Sequence, residues 1–428
     1  MSGVITPSGA KSKLALGLQS AFGTHTKGTH IAEYRSGGLR AARANAYSQA
    51  LRDTPSTRIK GQVTDFEASG SINLELTPEG IFPMVLTSLL GAPTSTTYYA
   101  DVTGSPTTWA VGTTYAEDAK VLRNSYYYTS VANGNVGHDP ACDAAGTYWT
   151  AVPDVTSGIT ANLRAYKHVW KHNWNQRYIS SHQLKGSAIE SFVDAIISSF
   201  SMSVSKGTRD VISASIDARA CNAFIADEWT DVVESGAGAD TLPPWSAVHG
   251  KILLNDISTG SFREFSFGVN RSLSDKQVLN GYLGPAGFNH GASETSGSLN
   301  AYFDSEDNLY SFMGHASAYT KPAGFTGDLV YQDVKLQLSY KTPGSGDSLL
   351  TYENKLEIHF PNCLFGAVEQ PVNGREEIMQ SIVLEPCYDA TEGTDVIITL
   401  WNRQTNASIL TSGATITPPC SAVQEVVA

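Results

Sequence analysis

Histidines, thiols, carboxylates and a dense group of aromatic residues are the side chains of this sequence suited to chemistry, and their spacing decides which chemistry is open to them. His168 and His172 form an H-x-x-x-H pair that would suit a zinc ion on a helix. However, Tyr166, His168, Trp170, His172 and Trp174 alternate with other residues, which marks a strand. Four residues along a strand separate side chains by about 13 Å, too far for one ion. His25 and His30 lie in a Gly/Thr-rich stretch and are expected to be solvent-exposed. The five cysteines (Cys142, Cys221, Cys363, Cys387 and Cys420) are scattered, with no C-x-x-C pair, and are expected to be buried free thiols kept reduced in a cytoplasm. No G-x-S-x-G, Walker or G-x-G-x-x-G pattern occurs, and Ser235-Gly236-Ala237-Gly238 is expected to be a flexible loop. The expectation is therefore no enzyme, no metal site and no cofactor.

One segment stands apart. Residues 97–155 hold Tyr98, Tyr99, Trp109, Tyr115, Tyr126, Tyr127, Tyr128, Tyr148 and Trp149. Small aromatic-rich modules that this segment resembles often accompany glycosidases, so a sugar-degrading enzyme has to be considered. Such an enzyme needs two convergent carboxylates about 5 to 9.5 Å apart, and no run of this sequence resembles a chitinase active-site strand.

The totals point the same way. The chain has 428 residues, enough for several domains, and only 16% are charged. The formal charge of -12, from 29 basic and 41 acidic residues, argues against binding nucleic acid through counterion release. The first residues show no secretory pattern, and no apolar run is long enough to span a membrane.

The elements that must position these residues are mostly strands. Phe200, Met202 and Val204 alternate with serines, as do Ile212, Ala214, Ile216 and Ala218 with Ser213, Ser215, Asp217 and Arg219. Around the Lys206-Gly207-Thr208 turn this predicts a hairpin with one buried and one wet face. Phe265, Phe267 and Val269 repeat the pattern, as do Val334, Leu336, Leu338 and Tyr340. Val396, Ile398 and Leu400 follow it less cleanly, because Ile397 is also apolar. Two helices are predicted. Thr77-Pro78-Glu79 is expected to cap one whose stripe is Phe82, Val85, Leu86, Leu89 and Leu90, ended by Gly91. Asp304-Ser305-Glu306 is expected to start the other, with Leu309, Phe312 and Met313 as its stripe and Gly314 near its end.

Upstream of these helices, Ser69-Gly70-Ser71-Ile72-Asn73 matches Ser296-Gly297-Ser298-Leu299-Asn300. The shared strand-to-helix order predicts an internal duplication. The expected layout is a first module over 1–96 and 156–243, interrupted by an inserted β module at 97–155, and a second module over 244–428.

With this layout the chain resembles the tail tube proteins of siphophages, in the class with two tube modules per polypeptide. Leu16-Gly17-Leu18-Gln19-Ser20-Ala21-Phe22-Gly23-Thr24 resembles that family's opening E-x-x-[YF]-G-T segment, with glutamine where an acid is usual. The two Ser-Gly-Ser strands resemble its strand before the helix. Ile358-His359-Phe360-Pro361-Asn362 resembles a late strand, and Val396 through Asn402 the terminal one. The insertion resembles the small carbohydrate-binding modules of chitinases through Trp109, Gly112, Tyr115, Val121, Tyr127 and Trp149, with Asn124-Ser125 where a glycine is usual.

The resemblance implies a mainly β fold, a sandwich or partial barrel with one helix per module. It implies a structural virion protein, made in the host cytoplasm, that assembles with itself. Three chains per ring would stack into a tube, together with a tape-measure protein and other tail proteins, and would pass double-stranded DNA without gripping it. Ser201, Ser203, Ser213, Ser215 and Asp217 are the candidate lumen-facing residues; the alternative is that this hairpin faces outward. Opposite-sign loops, with Arg40, Arg43 and Arg52 in one and Asp227, Glu228 and Asp231 in the other, are candidates for ring stacking, or else are ordinary solvated loops. The other functional reading is a tail-decorating or receptor-binding protein that holds surface glycans on Trp109, Tyr115, Tyr127 and Trp149.

Overall fold

The computed structural model describes residues 12–416, except 33, 48–60, 99–106, 124–125, 144–146, 153–164, 207–210, 240–241, 259–261, 280–282, 304–307, 309–311, 313–328, 344–350 and 372–377. The fold is mainly β. The first strands are β1 (Lys13–Leu18), β2 (Gly28–Ile31), β3 (Tyr34–Gly37), β4 (Arg40–Tyr47) and β5 (Gly61–Glu75), followed by helix α1 (Ile81–Leu90) and β6 (Thr94–Tyr98). A separate four-stranded sheet holds β7 (Thr107–Thr108), β8 (Lys120–Arg123), β9 (Tyr126–Ser130) and β10 (Trp149–Val152). The chain then continues through β11 (Ala165–Lys171), β12 (Ile179–Lys185), β13 (Ala188–Ser205), β14 (Ser213–Ala226), α2 (Trp229–Val232) and β15 (Val233–Ala239). Next come β16 (Gly250–Leu254), β17 (Ile257–Ser258), β18 (Phe262–Asp275) and β19 (Phe288–Tyr302). The last elements are β20 (Gln332–Pro343), β21 (Thr351–Glu369), β22 (Met379–Pro386), β23 (Ile397–Asn402) and α3 (Asn406–Leu410).

Within the large sheet, one antiparallel ladder runs β4–β5–β14–β13–β12–β1. A second runs β18–β19–β22–β21–β20–β16. The order is the same strand for strand, and so is the register. In the first ladder Ile72, Ile216 and Phe200 lie side by side; in the second Leu299, Ile382 and Val368 do. Bulges fall at matching places: Ile197/Ser199 and Phe365/Ala367, Ile179/Ser181 and Gln332/Val334, Tyr34/Ser36 and Phe262/Glu264. Bulges re-aim strands and are specified by sequence. Three of them recurring in register tie the two ladders together more tightly than strand order alone. The ladders meet where β13, beyond its pairing with β12, takes β18 along the same edge, with Ser199 opposite Asn270 through Ser205 opposite Glu264.

The alternating sequences account for the main core. Phe200, Met202, Ala214, Ile216, Phe265, Phe267, Leu336 and Leu338 all point into it, each nearly or fully buried. β23 explains the untidy run at Val396–Leu400. It lies between β21 and β11, and every residue of Ile397–Asn402 is buried, so neither face needs to be polar.

Helix α1 differs from the expectation in two ways. It starts at Ile81 after Gly80, whose φ of 73° is left-handed, and Thr77-Pro78-Glu79 forms no cap. That segment instead docks on the end of β23: the Pro78 carbonyl accepts from the Asn402 side chain at 2.8 Å, and the Glu79 carboxylate accepts from the Arg403 backbone at 3.0 Å. In addition, all ten residues of α1 are buried, not one stripe. The polar ones are satisfied internally. Thr87 donates to the Pro83 carbonyl and accepts from the Trp170 indole, and Ser88 accepts from the Ile197 amide. Of the second predicted helix, Asn308 and Phe312 are helical and the rest lies outside the described residues, as does the turn at 207–210.

Asn402 holds this corner. Its amide donates to Pro78, while its oxygen accepts from the Gln404 amide at 3.0 Å and lies 3.1 Å from the His168 ring. Asn402→Ala is expected to cost about 1–3 kcal/mol by leaving buried polar partners unpaired. Denaturant unfolding would test this, and a loss below about 0.5 kcal/mol would contradict it.

The four-stranded sheet sits between β6 and β11. These two strands pair with each other, Tyr98 opposite Ala165, so the chain leaves and re-enters the large sheet at one place. An insertion between paired neighbours leaves the ladder on either side unbroken.

Candidate functional site: a polar sheet face and two open edges

The candidate lumen residues occupy one face of the β13–β14 hairpin. Ser201, Ser203 and Asp217 are exposed, and Ser213 and Ser215 are half-buried. Their alternation partners fill the core, so sheet geometry forces the serines onto the opposite face. The polar face continues across both ladders. Ser71 and Ser199 donate to the Asp217 carboxylate, pinning a negative charge at the surface. Ser266 and Ser298 share a hydrogen bond of 2.7 Å, the Asn300 amide donates to Glu264 at 2.9 Å, and the Asn73 amide donates to Ser36. The one guanidinium beside Asp217 along β14, Arg219, is neutralised by Asp275 at 2.9 Å. The result is a surface of small hydroxyls and amides with fixed carboxylates.

Of the basic and acidic candidates, Arg40, Arg43 and Asp231 lie on regular elements, and Asp227 and Glu228 lie in the short turn between β14 and α2. Arg40 and Arg43 lie on β4, every residue of which is exposed, while Arg52 lies outside the described residues. The sequence Arg40-Ala41-Ala42-Arg43-Ala44 shows no apolar alternation because no face of β4 is buried within one chain. Residues 226–245 also hold structure, in α2 and β15. Asp227 precedes α2, and Glu228 and Asp231 form a reciprocal capping box at its start, so these two acids organise their own turn. Ser235–Gly238, expected to be a flexible loop, is part of β15.

Several strand edges of the large sheet have no strand beside them among the described residues, those of β6, β15 and β17 included, and two of them correspond to the edges that β13 and β18 join. β5 has β14 on one side and β3 and β4 on the other, and nothing pairs with the outer edge of β3–β4. β21 pairs with β20 only as far as Cys363, after which the same edge is open through Glu369.

The aromatic candidates of the insertion divide. Trp149 is 1% exposed and Tyr115 6%, their rings 5.2 Å apart around Val121, so both are core. The Trp149 indole donates to the His138 carbonyl. Trp109 is partly buried, with the Arg123 guanidinium 4.8 Å above its ring. Arg123 pairs with Asp139 at 2.6 Å, and the two shift each other's titration apart, Asp139 downward and Arg123 upward. Tyr127 is on β9, and its side chain lies outside the described residues. One stacked pair was not legible in the sequence: His138 and Tyr148 lie 3.5 Å apart and 6° from parallel.

The histidines singled out from the sequence pack within the fold. His168 is fully buried on β11 between Ser95, Asn402 and the Gln404 carbonyl, and burial pulls its pKa below the usual value. His172 lies 3.1 Å from Asp395 and is likewise held down by burial. His25 corrects the expectation of exposure. It is 8% exposed, its Nε2 3.0 Å from Asp194, and Asp194 also accepts from the Gly23 amide. The carboxylate that draws it inward is 169 residues away in sequence and has a left-handed φ of 52°, so only the folded chain reveals it. His30 lies on β2, half-buried. Among the described residues no group of three or more His, Cys, Asp and Glu could hold a metal ion. Of the thiols, Cys221 and Cys363 are buried, and burial pushes Cys363 up to about 12; Cys387 is half-buried, and Cys142, against expectation, is exposed. Cys420 lies outside the described residues. No helix among the described residues is long and apolar enough to cross a membrane.

No curated protein matches the chain. A family model described as "Phage tail tube protein" matches residues 9–385. That span takes in the β3–β4 edge, the polar face and all but the last residue of both ladders, and on this ground the chain belongs to the phage tail tube protein family.

Proposed function

We propose that this virion protein, a structural and non-enzymatic component of the phage tail, carries two tandem tube modules. On this reading three chains make a ring of six modules, and the polar sheet face lines the conduit. The observation that carries this reading is the pair of ladders with one strand order and matching bulges, joined edge to edge by β13 and β18. The first module is built on residues 1–96 and 156–243, with the sheet at Thr107–Val152 inserted into it, and the second on residues 244–428. A sheet that closes on itself leaves no edge exposed, and copies stacked head to tail extend it into a tube. The chain assembles with itself and with other tail proteins, among which a tape-measure protein would occupy the lumen before DNA does.

The polar face suits transit. A duplex carries about one negative charge per 1.7 Å, and along β13 and β14 the face offers it serines and the Asp217 carboxylate, with the Arg219 guanidinium already paired to Asp275. Ser201, Ser203, Ser213, Ser215 and Asp217 are assigned to this wall. The insertion's Trp149 and Tyr115 serve its own core, so nothing favours glycan binding as the chain's main task.

Electron microscopy of the purified protein tests the assembly. The expected result is hollow tubes or rings, with three chains per ring by native mass spectrometry. Monomers alone at high concentration would overturn it. The wall is tested separately. Lysine at Ser201, Ser203 and Ser215 together is expected to leave tube length unchanged and to lower plating efficiency at least tenfold through slowed DNA passage. Unchanged plating would remove these residues from the lumen.

A further inference from the structure

We propose that neighbouring copies join through one specific strand joint: the β3–β4 edge of one copy adds antiparallel to the end of β21 of the next, with Arg40 opposite Glu369. The proposal rests on the tandem-module reading and adds to it the partner surface and its register.

The chain already contains one such joint. β13 gives one edge to β12 as far as Ala195 and then, from Ser199 to Ser205, to β18. β21 gives the matching edge to β20 as far as Cys363 and then to nothing among the described residues. On the other side, β18 has its outer edge covered by β13, whereas β3–β4, its counterpart in the first ladder, has no strand on its outer edge among the described residues. One covered pair and one open pair of equivalent edges is what a repeating lateral contact leaves at the two ends of a single copy.

The register follows from the ladders. Phe200 and Val368 hold the same place, and so do Val269 and Ala41, because Val269 lies beside Thr295 and Ala41 beside Ala68 in equivalent rows. Since Phe200 faces Val269 within the chain, Val368 of one copy faces Ala41 of the next. It follows that Ala367 faces Ala42 and Glu369 faces Arg40. Glu369 and Arg40 are both exposed, and neither makes an ion pair with a described residue. The pair sits on the polar face, where opposite charges directly across a strand pair favour each other.

The composition of the edges fits a second copy. A second strand adds most readily to an edge bordered by small side chains, and a charge on such an edge favours a partner of opposite sign. β4 carries Ala41, Ala42, Ala44 and Ala46 beside Arg40 and Arg43, and β21 presents Gly366 and Ala367, so small side chains border most of the backbone that would pair. Leu39 is fully buried like its counterpart Phe267, so the edge is anchored in the core before any partner arrives.

Paired cysteines test the register. Residues opposite each other on antiparallel strands lie about 4.5–5.5 Å apart at Cα, within disulfide reach. In a full-length background with Cys142 and Cys420 replaced by serine, Ala42→Cys with Ala367→Cys is expected to give a covalent ladder ending in a closed trimer under mild oxidation of assembled tubes. Ala46→Cys with Ala367→Cys, displaced along the strand, is expected to crosslink at least tenfold less. A second arm uses charge: Arg40→Glu or Glu369→Arg raises the concentration needed for tubes several-fold, and the double variant restores it. Tubes that form without crosslinks at 42/367, that crosslink equally in the displaced pair, or that the double charge swap fails to restore would overturn this joint while leaving the tube reading intact. Wild-type protein that forms no rings or tubes would overturn both.

Discussion

Trp245→Ala is expected to lower the unfolding free energy of the dispersed subunit by about 3–5 kcal/mol, the range for removing a fully buried large aromatic. Trp245 has no exposed surface and lies between Phe82 of α1 and Tyr340 of β20, with ring centroids 6.3 Å away in each case. Its backbone also closes a junction. The Trp245 amide donates to the Leu76 carbonyl at 3.0 Å, and the Ile212 amide donates to the Trp245 carbonyl at 2.8 Å. The residue therefore links the end of β5 and the start of β14 to the segment that leads into the second ladder. Truncation leaves a cavity where three rigid elements meet and cannot collapse together. Trp245→Phe retains part of the contact and is expected to cost less than half as much. Denaturant unfolding followed by far-ultraviolet circular dichroism would measure both, and a loss below about 1 kcal/mol for the alanine variant would show that the junction relaxes around the gap.

Acidification is expected to weaken the subunit by about 3 kcal/mol through one residue, His182. This side chain is completely buried on β12, and burial pushes its pKa down to about 4. Its Nε2–H donates to the Thr26 carbonyl at 3.0 Å, which leaves Nδ1 to accept from the Ser191 hydroxyl. The neutral ring is therefore the form that fits. In the unfolded chain the ring takes a proton as pH falls through about 6.5, whereas in the folded chain it stays neutral until about pH 4. The stability is present above pH 6.5, falls between 6.5 and 4, and changes no further below that. His182→Gln, which keeps an amide donor and an acceptor, is expected to flatten this part of the profile. Thermal unfolding from pH 7.5 to 4 would decide; parallel profiles for wild type and variant would assign the acid loss to other groups.

The strands of the main core were legible because each buries one face. Phe200-Ser201-Met202-Ser203 and Phe265-Ser266-Phe267 carry a period of two that no helix tolerates, and the repeat at Ser69–Asn73 and Ser296–Asn300 was visible as letters. Those two stretches hold the same place in their ladders. β4 was read as a polar loop because it buries nothing within one chain, so hydrophobic periodicity had no signal to give. The cap predicted at Thr77 failed for a different reason. A local pattern competed with contacts from Asn402 and Arg403, more than 300 residues away, and the distant contacts won.

The sequence by itself determined the β character and the alternating wet and buried faces, since both follow from short-range order of polar and apolar side chains. It also carried the resemblance to phage tail tube proteins, the family that the model match shows. Tertiary structure alone decided which edges close and which stay open, because an edge is defined by the absence of a neighbour rather than by any residue within the strand. It also decided that His25 is held by Asp194 and that β13 is shared between two ladders. Those outcomes depend on which distant strands come to lie side by side, and pairing through backbone amides and carbonyls, common to nearly every residue, leaves little trace in the order of side chains.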